Sequence, residues 1–226
     1  MKQILLPFNW KIIIFLIILE VFTVPFVAIS NSIIISNQIY LGIIGFSVAF
    51  IALIIILKLF VQLIKQYLSH LLKQKIIQIN GLLYTSLLAG FLLMLMFYLQ
   101  NLSYSFTKSD CIVGFVSAFF SVSISLIIYN FLASYLGYGV KIKVSDNNCC
   151  YLVAFPIKDI IVLTLLFSLY ETIASPISLL WLPHYNHRFL WGIIAGLLSG
   201  LAGGIPLILI CHFTKYKITI FLKLIK

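Results

Sequence analysis

Residues 167–213 read FSLYETIASPISLLWLPHYNHRFLWGIIAGLLSGLAGGIPLILICHF. Two apolar runs flank a short polar turn. Each run is too long for a strand and close to the roughly 20 residues that cross a bilayer core as a helix. The first run carries Glu171, one of two glutamates in the chain, far from either end. Three of the four histidines, His184, His187 and His212, lie in the same stretch. In the second run Gly192, Gly196 and Gly200 recur every four residues, followed by Gly203 and Gly204. A glycine stripe of that spacing lets helix backbones approach closely.

The rest of the chain has the same character. Its 226 residues are 63% hydrophobic and only 9% charged, against about 25% charged in soluble domains. A soluble core of this size could not hide so much apolar surface, so the solvent is lipid. No alternating ten-residue pattern of barrel strands appears. The expected fold is all-α: a polytopic transmembrane helical bundle, one integral membrane domain over residues 1–226.

Spans are expected near 12–30, 40–64, 81–100, 111–135, 159–182 and 189–213. Six crossings put both termini on one side. Only Lys108 and Arg188 of the fifteen basic residues then fall on the other side, and the positive-inside rule makes the first side cytoplasmic. Topology thus accounts for the net charge of +10, and nucleic acid is not expected as a partner. The expected location is the cell membrane, multi-pass, with the bilayer as the constant partner. Residues 66–80, QYLSHLLKQKIIQIN, read either as an amphipathic helix on the cytoplasmic face or as an extension of the second span. Residues 137–158 have turn chemistry and read as an inner loop. A break at Gly203-Gly204-Ile205-Pro206 would instead create a seventh span over 205–225; the basic tail argues against it.

Carboxylates at membrane depth are costly unless protonated, paired or hydrated, and they default to function. Glu20 and Glu171 are therefore the first candidates, as proton relay, cation site or catalytic base. Each precedes a proline by five residues, as Glu20-x4-Pro25 and Glu171-x4-Pro176. The repetition hints at two related halves around a midplane site, as in transporters. Asn130, near the end of the serine-rich fourth span, is a candidate for substrate binding. Ser121, Ser123 and Ser125 read as helix-packing residues. His184 and His187 sit in the outer turn, roughly a full helix length from His212, so no shared metal site is expected. Zinc-protease, hydrolase and ATPase signatures are missing, and neither metal nor cofactor is implied.

Phe189-x-x-Gly192-x3-Gly196, then Gly203, then His212-Phe213 resembles the C-terminal part of the CAAX-protease and bacteriocin-processing (CPBP) family of intramembrane proteases. The preceding Leu165-Leu166-Phe167-Ser168-Leu169-Tyr170 resembles that family's F-x-x-x-H segment. Trp10-Lys11 with Val24-Pro25-Phe26 resembles its first helix. The chain departs from the pattern where the family's histidine position holds Glu171, and residues 129–141, YNFLASYLGYGVK, lack the paired glutamates that would activate water. The resemblance implies a catalytically degenerate protease scaffold, with Glu171 and His212 at the former catalytic positions, acting as a binding or immunity-like factor on a peptide, lipid or small-molecule ligand. The alternative is a small transporter or permease subunit that uses Glu20 and Glu171.

Overall fold

The computed structural model describes residues 2–8, 13–22, 24–25, 39–107, 109–145, 149–181 and 188–225. Among these, helix α1 covers Ile13–Phe22, with Val24 and Pro25 also helical. Then come α2 (Ile39–Leu72), α3 (Leu82–Thr107), α4 (Asp110–Leu136), α5 (Ile157–Trp181) and α6 (Arg188–Thr214). Four segments are long and apolar enough to cross a membrane: Ile54–Leu72, Asp110–Leu136, Ile157–Ile177 and Gly192–Thr214. Ile13–Phe22 and Leu82–Leu92 are shorter apolar segments.

The helices run antiparallel where their contacts define them. A Cβ added to Gly114 near the start of α4 would sit 2.4 Å from the Glu171 carbonyl oxygen and 2.8 Å from Ser175 Cβ. At the other end of α4, Asn130 binds the backbone of Phe155, just before α5. The expected glycine stripe on α6 lies against α1. Cβ atoms at Gly192, Gly196, Gly200 and Gly204 would meet Pro25, Glu20, Ile17 and Ile13 in turn, at 2.6, 2.5, 3.0 and 2.9 Å. Gly203 faces Tyr170 of α5 instead, at 2.8 Å. Without these glycines α1 could not come so near. The helix α6 is continuous through Gly203-Gly204-Ile205-Pro206, so the break that would seed a seventh span does not occur.

The all-α expectation needs correction. Five strands form one antiparallel sheet in the order β1-β5-β4-β3-β2. They are β1 (Lys2–Pro7), β2 (Ile76–Asn80), β3 (Lys141–Val144), β4 (Cys150–Ala154) and β5 (Lys217–Ile225). Residues 66–72 extend α2, and the residues expected to continue as helix become β2. The inner loop is a hairpin, and the basic tail is the longest strand. The chain turns from helix to strand through left-handed residues: Lys73 after α2, Gly137 after α4 and Lys215 after α6. Gly81 links β2 to α3 at φ 96°, and a Cβ there would sit 2.2 Å from the Gly139 carbonyl oxygen, so no other residue fits.

Register assigns the two faces of the sheet. Ile4 pairs with Ile220, and Leu222 with Val153; with Ile76, Ile142 and Val144 they form one apolar face. That face packs with Leu68 and Leu72 of α2, Leu163 of α5, and Leu207 and Cys211 of α6 in one buried cluster. On the opposite face, the rung Asn80–Lys141–Leu152–Lys223 crosses four strands. There Leu152 packs on Tyr129 and Ala133 of α4, and Lys223 Nζ donates to the Ser134 carbonyl in the last turn of α4 at 3.3 Å. A cation at that helix end meets carbonyls that have no partner within the helix. The sheet thus caps one end of the bundle and ties its helices together there.

Candidate functional site

Glu20 of α1 and Glu171 of α5 are 151 positions apart in the chain, yet their carboxyl groups lie within hydrogen-bond reach of each other. The α1·α6 glycine contact brings Glu20 in, because Gly196 stacks directly on the Glu20 backbone. Gly114 does the same for Glu171 from α4. Helical spacing supplies the next ligand: Ser175, one turn beyond Glu171, donates its hydroxyl to Glu171 Oε2 at 2.9 Å. Tyr170, 2% exposed, extends its ring under Gly203 and its hydroxyl toward Glu20. That hydroxyl makes no well-formed hydrogen bond among the described residues. The cluster thus combines two carboxyls, one bound hydroxyl and one unpartnered hydroxyl, contributed by α1 and α5 and closed over by α4 and α6.

Two carboxylates this close repel strongly in an apolar surrounding unless a proton or a cation lies between them. The arrangement is therefore suited to holding one small positive charge. Among the described residues no group of three His, Cys, Asp or Glu side chains could hold a metal ion.

The other candidates lie elsewhere. Asn130 Nδ2 donates to the Phe155 carbonyl at 2.5 Å, and its Oδ1 accepts from Phe155 N at 2.9 Å. Its amide joins α4 to the start of α5 through both its nitrogen and its oxygen. His212 lies in the last turn of α6, exposed, its ring edge-on to Phe213 at 5.8 Å. It is nine residues beyond Gly203, the level of Tyr170, or roughly 13 Å at 1.5 Å per residue. Glu171 and His212 are thus not gathered into one site. His184 and His187 lie outside the described residues.

A second polar pair was not anticipated. Asp159, 2% exposed in the first turn of α5, accepts a hydrogen bond from the Tyr216 hydroxyl at the entry to β5. An acid in a first helical turn also faces the positive end of the helix dipole. Tyr129 plays a matching part on α4: its hydroxyl donates to the Val153 carbonyl at 3.0 Å and accepts from Val140 N at 3.2 Å. The sequence signal for these pairs was weak. Asp159 opens an apolar run just as Asp110 does, and nothing local joins it to Tyr216.

Comparison with family models, with curated proteins and with solved structures finds no match.

Proposed function

We propose that this chain is a six-crossing membrane protein, with its sheet and both termini in the cytoplasm, and that the Glu20–Glu171 pair binds and releases one proton or monovalent cation in the bilayer interior. The reading is that of a small transporter or permease subunit. The observation that carries it is the meeting of the only two glutamates of the chain, from α1 and α5, beside Ser175 and Tyr170. Lipid-embedded carboxyls brought together at a helix junction are poorly explained as packing, because two leucines would pack with less electrostatic cost.

Infrared difference spectroscopy tests it. A protonated-carboxyl stretch should be present near neutral pH and disappear in Glu171→Gln. In proteoliposomes carrying an internal pH dye, Glu20→Gln and Glu171→Gln should each slow proton entry by at least about tenfold. No carboxyl band, together with unchanged flux in both variants, would sink the proposal.

A second reading is the degenerate protease scaffold acting as a binding or immunity-like factor. It is favoured by the glycine-rich α6, which leads to the late His212 as the resemblance implies. It gives a separate expectation: purified protein cleaves neither prenylated nor unmodified peptides, because residues 129–141 lack the paired glutamates that would activate water.

A further inference from the structure

The two carboxyls of the cluster are not equally provided for. Glu171 has a hydroxyl of its own: Ser175, one turn further along α5, donates to its Oε2 at 2.9 Å. The corresponding place on α1, four residues beyond Glu20, is Val24, whose side chain can donate nothing. The hydroxyl set beside Glu20 comes instead from α5, on Tyr170. Tyr170 and Glu171 are neighbours in sequence and point about 100° apart around their helix, yet both face the one carboxyl of α1.

Packing alone does not account for this tyrosine. Its side chain is buried, and its hydroxyl has no well-formed hydrogen bond among the described residues. A buried hydroxyl left in that state lowers stability, and phenylalanine would fill the same space without it. The ring is held in place by α6. A Cβ at Gly203 would lie 2.8 Å from Tyr170 Cδ2, 2.9 Å from Cε2 and 3.0 Å from the Tyr170 carbonyl oxygen. The backbone of α6 therefore lies directly on the ring and on the turn of α5 that carries it. The backbone of Glu20 is pinned as well, by Gly196, where an added Cβ would lie 2.5 Å from the Glu20 carbonyl oxygen. Between these fixed points the Glu20 carboxyl can turn about its own side-chain bonds, toward Glu171 or toward the Tyr170 hydroxyl.

We propose that Tyr170 is the exchange partner of Glu20: with a proton or monovalent cation bound, Glu20 shares it with Glu171, and on release Glu20 accepts a hydrogen bond from the Tyr170 hydroxyl instead. The role rests on the charge-binding reading of the pair, and it meets a need that the pair creates. Once the bound charge leaves, two ionised carboxylates face each other in an apolar surrounding and repel. Ser175 already serves Glu171; Tyr170 serves Glu20 and draws it away. A hydrogen bond to an ionised acceptor is stronger than one between neutral groups, so the hydroxyl acts in the empty state and is idle in the loaded one. When the bound charge is a proton, the carboxyl O–H bond breaks, the proton leaves on a water molecule, and Tyr170 keeps its own proton throughout. When it is a cation, no covalent bond changes. Tyr170 is thus a positioning residue for Glu20 and never carries the charge itself.

Infrared difference spectroscopy on the full chain in proteoliposomes tests it, with ring-labelled tyrosine so that the phenol C–O stretch can be recognised. The pair is loaded in two ways: by lowering the pH or, at fixed pH, by adding sodium or potassium chloride. Loading should change carboxyl bands that Glu171→Gln removes. Unloading should shift one tyrosine C–O band toward that of a phenol donating to an anion, without forming tyrosinate, and Tyr170→Phe should abolish that shift. Flux of the charge that loads the pair should fall about tenfold in Tyr170→Phe. Under loading conditions the same variant should melt no lower than the parent, since the lost hydroxyl had no partner there. Carboxyl bands that respond while the tyrosine bands stay still, or flux in Tyr170→Phe equal to the parent's, overturn the exchange and leave the carboxyl site standing. A marked loss of stability in the loaded variant also overturns it, because the hydroxyl would then be bonded while the pair is occupied. No carboxyl response to acid or to either salt rejects the charge-binding reading, and the exchange with it.

Discussion

Asn130 and Tyr216 each use one side chain to join segments that are distant in sequence, and each gives a test at the level of a single residue. Asn130 satisfies both backbone groups of Phe155, which are only partly solvated. Asn130→Ala leaves both without that partner and should destabilise the protein by about 1–3 kcal/mol. Because its amide is spent on the backbone, the same variant should retain the Glu171 carboxyl band. Loss of the band with normal stability would instead restore Asn130 as a ligand. Tyr216 has a pH signature. Burial, and then the Asp159 carboxylate that accepts its hydrogen bond, push its phenol well above the ordinary tyrosine range. A folded-state value raised in this way gives stability that is complete below the unfolded value of about 10 and lost as pH rises through the folded one. The stability difference between the parent and Tyr216→Phe should therefore be constant from neutral pH to about pH 10 and shrink above it. Thermal melts across that range measure it, and a difference that grows with alkalinity would contradict the Asp159 contact.

Among the elements, α6 was the most legible and the strands the least. The four-residue glycine spacing fits one helical stripe, and α1 fills it. A leucine at Gly196 would drive its Cβ to within 2.5 Å of the Glu20 carbonyl oxygen. Since that neighbour is backbone, α1 must move as a body, and Gly196→Leu should cost about 1–3 kcal/mol or more. Leu197, one residue on and 45% exposed, faces away; Leu197→Ala should shift detergent stability by no more than about 0.5 kcal/mol. Equal melting temperatures would refute the α1·α6 contact. Glu171 was recognisable for a different reason: one acid in an apolar helix must find a partner, and the chain offers only one other glutamate. The strands hid because most are short and about half of their residues are isoleucine, leucine or valine, which serve a lipid-facing helix equally well. The alternation in KITIFLKLI is visible once sought, but the pairing that makes it a strand comes from Lys2–Pro7 at the opposite end of the chain. No local pattern could reveal that. The helix-to-strand junctions were also silent in sequence, because Lys73 and Lys215 hold the left-handed turn that glycine usually takes.

At the scale of the whole molecule, the sheet fixes which ends of the helices lie together. Its strands come from the N-terminal segment, the α2–α3 link, the α4–α5 link and the C-terminal segment. All four must lie on the same side of the bundle for their hydrogen bonds to form, which requires an even number of crossings between β1 and β5. The same end carries Lys2, Lys141, Lys143, Lys217 and Lys223, so positive charge gathers where the pairing gathers the segments. The β1·β5 pairing can be tested in cells. Gln3 stands directly opposite Phe221, and opposed residues in an antiparallel pair have Cα atoms about 4.5–5.5 Å apart, within the span of a disulfide. With the native cysteines replaced by serine, Gln3→Cys/Phe221→Cys should cross-link under mild oxidation. Gln3→Cys/Ile220→Cys should not, because a shift of one residue moves the second thiol to the other face of the sheet. An impermeant thiol reagent added to intact cells should leave Gln3→Cys and Phe221→Cys unlabelled and should reach both in inverted vesicles. Cross-linking of both pairs alike would mean that the termini meet without a defined register. Labelling of only one thiol from outside would place the termini on opposite faces, and neither the sheet nor the six-crossing arrangement would survive that result.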